Sequence, residues 1–160
     1  IGKDAAQMGK QFNDAFEKDP SVKRLRDLEP TIERTVAYIK GLPKTGQIGS
    51  DDLALSKLYL SLTHPRGDRI DVRDKKDLDS LRSLPSKIFE GLQSIALGKT
   101  LSNEVRNEMF QIIGAQLKTM RDARNSKALE VLERAKESRV GRNFVFGPSE
   151  AARYGLPEEE

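Results

Sequence analysis

The sequence predicts an all-α fold: a compact helical bundle of about five to six helices, with a long C-terminal helix and a partly extended tail. Three observations predict it. Apolar residues recur at helical spacing from one end of the chain to the other. Cap residues, prolines and glycines punctuate that spacing where helices should start and stop. The composition, 36% apolar and 33% charged over 160 residues, gives enough apolar surface for a core while requiring much of the chain to face water. A chain of this length buries about two-thirds of its surface on folding.

Met8, Phe12, Ala15 and Phe16 mark the stripe of a short opening helix. Asp19 then caps a second helix with Pro20 at its first position. Val22, Leu25, Leu28, Ile32, Val36 and Ile39 follow at helical spacing, and Pro30 within them predicts a kink or break. Residues 41–49 form a loop by composition. Ser50 caps the next helix, where Asp51 and Asp52 set negative charge on its positive end. Leu53, Leu55, Leu58, Tyr59, Leu60 and Leu62 surround most of that helix, which makes it the central element. A turn follows at His64-Pro65-Arg66-Gly67. Leu78, Leu81 and Leu84 suggest a short helix ending at Pro85; Ile88, Phe89, Leu92, Ile95 and Ala96 mark another, closed by Gly98.

Ser102 opens the longest helix, with Glu104 in its first turn and a stripe of Val105, Met109, Ile112, Ile113, Leu117 and Met120. Beyond Met120 the stripe thins to Ala123, Ala128, Val131, Leu132 and Ala135. Continued to Arg139 the helix would be roughly 55 Å long at 1.5 Å per residue, more than one small domain covers. Its distal half should therefore project, packing on a neighbouring subunit or on the chain's own termini. Arg142 to Pro148 reads as extended. The division expected is an N-terminal helix or arm over 1–18, a helical domain over 19–140 and a tail over 141–160. The expected core is Leu53, Leu55, Leu58, Tyr59, Leu62, Ile88, Phe89, Leu92, Met109, Ile113 and Leu117.

Composition removes several kinds of chemistry. The absence of Cys leaves no disulfide framework, thiolate zinc site or thiol nucleophile, and one His, His64, excludes a two-His metal site. No apolar run reaches the roughly 18–20 residues that span a bilayer. The polar start, IGKDAAQMGK, lacks the apolar segment of a signal peptide. A start at Ile1 in place of Met reads as a processed product or a piece of a longer polypeptide.

His64 has Asp68 and Asp71 nearby but no nucleophile context, so a helix-terminal role is expected. The carboxylates Asp68, Asp71, Asp74, Asp77 and Asp79 are interleaved with Arg66, Arg69, Arg73, Lys75, Lys76 and Arg82 and lack calcium-loop spacing. No phosphate-binding glycine loop precedes a Lys-Ser/Thr pair. A glycosidase cleft would call for aromatics, and the chain has no Trp and three Tyr. The expectation is a protein without catalytic residues, cofactor or metal.

Lys118, Arg121, Arg124, Lys127, Arg134, Lys136, Arg139 and Arg142 stand against four acidic residues between 118 and 142, a local charge of +4 within a chain of +3. The pattern suits first a solvated helix surface laced with salt bridges, and second a contact face for assembly or for non-specific DNA binding.

Residues 46–78, GQIGSDDLALSKLYLSLTHPRGDRIDVRDKKDL, resemble a segment of large virion proteins of tailed bacteriophages. Asp51, Asp52, Leu53, Ala54, Leu55, Tyr59 and Leu62 match its first helix, His64 to Gly67 its turn, and Val72-Arg73-Asp74 its charged run. Gly98 to Ser102 match its link and cap, Arg106 lies in its long helix, and FEKDPSVKRLRDLEP (16–30) resembles its preceding helix. His64 and Arg66 depart from the usual turn residues. The resemblance, over about residues 12–125, implies a virion component of the capsid interior or tail, packaged with the genome and ejected into the host envelope. The partners it implies are further copies of the chain or other virion proteins. A static tail- or portal-associated component is the alternative it leaves open.

Overall fold

A computed structural model describes residues 2–42 and 49–158, with side chains for 4–42 and 51–158. Eight α-helices and one 3-10 turn account for the regular structure among the described residues, and the chain is all-α as expected. They are α1 (Gly2–Glu17), α2 (Pro20–Gly41), α3 (Gly49–Thr63), the 3-10 turn (Gly67–Arg69), α4 (Lys75–Asp79), α5 (Ser86–Ala96), α6 (Asn103–Glu137), α7 (Arg142–Val145) and α8 (Pro148–Arg153). Of the loop expected at 41–49, residues 43–48 lie outside the described residues. So do the side chain of Ser50, expected as a cap, and the terminal Glu159 and Glu160.

Contacts divide the chain into two units, 1–28 with 118–160, and 29–117. The boundaries differ from the division at 18/19 and 140/141 expected from sequence, and they fall inside α2 and α6.

The unit of residues 29–117 forms around α3, whose Leu55, Leu58, Tyr59, Leu60 and Leu62 are all buried. Ile88, Leu92, Met109 and Ile113 join that core as expected, whereas Leu53, Phe89 and Leu117 are half-buried at its margin. Phe89 is held there under the Arg82 guanidinium, 5.7 Å from its ring centroid. Gly67 explains the turn after α3: a Cβ on it would lie 1.7 Å from the Leu60 carbonyl oxygen, so no side chain fits. The short helix expected around Leu78–Leu84 forms earlier, at Lys75–Asp79, because Asp74 accepts the Asp77 N–H at 3.0 Å and caps it. Pro30 does not break α2, which runs through it; the proline only withholds a donor from the Arg26 carbonyl.

The unit of residues 1–28 and 118–160 has the core that sequence reading missed. Phe16, Val22, Ala128, Val131, Leu132, Ala135, Val140, Val145, Phe146, Ala151, Tyr154 and Leu156 form one buried cluster. The thin stripe of distal α6 is thus covered by the chain's own terminal regions, one of the two alternatives expected. The segment expected to be extended, Arg142 to Pro148, instead starts with helix α7 and leads directly into α8. Gly147 and Pro148 start α8 in the manner of Pro at the first helical position. The opening stripe is also rotated from expectation. Gly9 and Phe16 are buried, Phe12 is half-buried, and Met8 and Ala15 are exposed. The reason is close approach: a Cβ on Gly9 would sit 2.2 Å from the Phe144 carbonyl oxygen, so α1 turns its smallest residue toward α7.

Helix ends follow local rules. Asp19 Oδ1 accepts the Ser21 N–H at 3.0 Å, and Ser102 Oγ accepts the Val105 N–H at 3.2 Å. The Ser21 hydroxyl, donating to Asp19, is the main cause holding that carboxyl below its ordinary 3.8. A lowered folded value means stabilisation present above the unfolded pKa and lost as pH falls through the folded one. Asp19→Ala is therefore expected to cost about 1 kcal/mol at neutral pH, with the gap to wild type narrowing below about pH 4. Urea titrations at both pH values measure it.

Candidate functional site

Distal α6 presents the basic segment, and helix geometry disperses it. At about 100° per residue, Lys118 and Lys136 project from one side while Lys127 and Arg134 point nearly opposite. Lys118 Nζ pairs with Asp122 at 3.1 Å, and Arg134 with Glu130 at 2.6 Å. Lys127 lies 3.8 Å from Asp19 and 3.5 Å from Glu130. Arg121 is half-buried, Lys136 and Arg139 are exposed, and Arg142 Nη1 donates to the Pro157 carbonyl at 2.8 Å. Arg124 is not on the surface at all: it is 5% exposed. The eight cations expected as one face are divided among internal pairs, the core and solvent.

Arg124 instead builds the most charged site of its unit. Its guanidinium lies 4.9 Å from the Tyr154 ring centroid, with Arg153 at 6.0 Å, both cation–π distances. Its Nε donates to Asn125 Oδ1 at 3.2 Å. A cavity of about 250 Å³ opens there, lined by Glu17, Val22, Arg26, Arg124, Glu150, Arg153 and Tyr154. Arg26 closes one side by pairing with Glu17. Burial first, then the Glu150 carboxylate, pushes the Tyr154 hydroxyl above its ordinary value, so it is held neutral. Three guanidiniums face two carboxylates, and the charges largely balance. The chemistry available is the holding of α8 against α6 by a buried cation on an aromatic ring. A second cavity of about 250 Å³, mostly apolar, lies between Met8, Gln11, Phe12, Ala15, Val131 and Arg134.

The unit of residues 29–117 contains a buried ion pair. Asp52, fully buried, accepts from Arg106 Nε at 2.6 Å and Nη2 at 2.8 Å, and from the Leu101 N–H at 2.8 Å. Arg106 Nη1 donates to Asn103 Oδ1 at 2.8 Å. The Asp52 hydrogen bond is the main cause raising Arg106 further above its ordinary value, so the guanidinium stays charged. The arrangement fixes the start of α3 to the link before α6. Sequence reading gave Asp52 only a helix-end role. One turn on, the buried Ser56 hydroxyl has no hydrogen-bond partner.

His64 Nδ1 accepts the Arg66 N–H at 3.3 Å, so the histidine closes its turn through its ring and not by donating to the last carbonyls of α3. Four carboxylates of the acidic run are engaged locally: Asp74 caps α4, Asp77 accepts the Asp71 N–H at 3.0 Å, Asp71 the Arg73 N–H at 3.0 Å, and Asp79 pairs with Arg82 at 3.1 Å. Among the described residues no group of three or more His, Asp or Glu has a metal-binding arrangement, and no helix is long and apolar enough to cross a membrane. No protein-family model, curated protein or solved structure matches the chain.

Proposed function

We propose that the protein is a structural component of a bacteriophage particle, held inside the capsid or tail and ejected to assist genome delivery through the cell envelope, acting through assembly contacts without catalysis. The observation that carries the reading is how buried charge is spent. Asp52, Arg106 and Arg124, the most buried acidic and basic side chains, each tie one helix to another element of the same unit. The resemblance of residues 12–125 to tailed-phage virion proteins supplies the setting. A cysteine-free chain built of helices also suits transport in an unfolded form, because helices re-form from local contacts. Quantitative mass spectrometry of intact particles, and of the same particles after triggered genome release, tests it. Loss of the protein with the DNA is expected. Retention would mean a static tail- or portal-associated component, and absence from both samples would remove the virion reading.

Non-specific DNA contact is a second reading, favoured by the exposure of Lys118, Lys136 and Arg139 on the basic stretch. Its mark is a steep fall in DNA affinity with salt, whereas apolar assembly is nearly insensitive to it.

A further inference from the structure

We propose that residues 140–158 act as an exchangeable strap: two copies of the chain pair by each laying this segment into the other's receiving surface. The inference does not depend on the virion reading, since it concerns the purified chain alone.

The strap has its own structure. It contains α7 and α8, and the bond from Arg142 Nη1 to the Pro157 carbonyl closes it on itself. A Gly155 turn ends α8, with the Leu156 N–H donating to the Ala151 carbonyl at 3.0 Å and φ of 64° at the glycine. Its apolar side chains, Val145, Phe146 and Tyr154 foremost, are buried against Phe16 and the face of α6 that carries Val131 and Leu132. The receiving surface fits this segment specifically. Asn13 Nδ2 donates to the Val145 carbonyl at 2.9 Å, and Gly9 leaves room for the Phe144 backbone and nothing larger.

The hinge is where strain is concentrated. After α6 the Val140 N–H donates to the Ala135 carbonyl at 2.8 Å and the Arg139 N–H to the Lys136 carbonyl at 2.9 Å. This turn requires a left-handed residue. Gly98 after α5 and Gly155 after α8 fill the same position with glycine, at φ of 78° and 64°. Here the residue is Arg139, at φ of 61°, and among the described residues it is the only non-glycine with positive φ. A left-handed residue with a Cβ is disfavoured, whereas Arg is a good helix former. In the exchanged form Arg139 takes the ordinary helical conformation, α6 runs on toward Gly141, and the strap projects to a second copy. Every strap contact is remade there, so the balance is between hinge strain and the entropy of association.

Light scattering on size-fractionated protein over a range of concentrations tests the proposal. Wild type is expected to dimerise as concentration rises. Arg139→Gly relieves the closed hinge and weakens the open helix, and is expected to raise the dimer Kd at least about tenfold, with two hinges per dimer. Arg139→Val, costlier still in the left-handed region, shifts the balance toward the dimer. Exchange itself is read in a dimer refolded from labelled and unlabelled copies. Phe16 of one copy should show a nuclear Overhauser contact to Phe146 of the other, the pair whose ring centroids lie 5.1 Å apart. A chain monomeric at every concentration overturns the proposal. So does a dimer lacking that contact, or a Kd unmoved by Arg139→Gly. Should Arg139→Val fail to fold, wild type and Arg139→Gly decide the matter alone.

Discussion

Replacing Arg106 by Leu is expected to lower the unfolding free energy by about 3–5 kcal/mol, the usual cost of leaving one charge of a buried pair alone. The Asp52 carboxylate would keep the Leu101 N–H but lose both guanidinium bonds in a site with no solvent access. Urea denaturation followed by circular dichroism measures the loss. A double variant, Asp52→Leu with Arg106→Leu, is expected to recover part of it, because no charge remains buried. The recovery stays incomplete, since the Leu101 N–H then has no acceptor, a penalty of about 1–3 kcal/mol. Lys87→Ala is the control. Its partner Glu104 stays hydrated, so stability should hardly change. Arg106→Leu behaving like Lys87→Ala would mean that the pair does not hold α3 to the link before α6.

Asp52 also shows where sequence reading stops. Asp51 and Asp52 carry the same signal, two carboxylates in the first turn of a helix, and both suit its positive end. What separates them is a partner 54 residues away, and no periodicity encodes that contact. Local features were legible for the opposite reason. The Asp19 cap, the Gly98 turn and the opening of α6 at Ser102 are each decided by residues within a few positions of one another. The central place of α3 was legible because its apolar residues wrap more than one side. Residues 142–153 were not, because α7 and α8 are four and six residues long, too short for a 3.6-residue period to register. Gly141, Gly147 and Pro148 read there as extended chain, though Pro148 starting a helix and Gly155 ending it were available signals. The basic stretch misled in another way. Its count of charges was correct, but charge count says nothing about which residues a helix turns inward, and Arg124 went to the core.

That misread segment carries the second large effect. Phe146→Ala is expected to cost about 3–5 kcal/mol, because it empties the centre of an aromatic group. The Phe146 ring meets Phe16 edge-on at 5.1 Å and Tyr154 edge-on at 5.6 Å, while Phe16 and Tyr154 lie 5.3 Å apart. Each ring thus touches both others, and removing one strips two contacts and leaves a cavity between α1, α6 and α8. Phe144 is the comparison within the same short segment. It is 46% exposed, so its replacement by Ala forfeits little burial and should leave stability near wild type. Amide hydrogen exchange at residues 128–135 and 146–154 locates the change, since protection there should fall in Phe146→Ala and persist in Phe144→Ala. Equal effects from the two substitutions would mean that the segment lies on the surface without contributing to the core. The larger effect at Phe146 would instead establish residues 142–156 as part of the folded unit, closing with Phe16 and Val22 over the thin apolar stripe of α6.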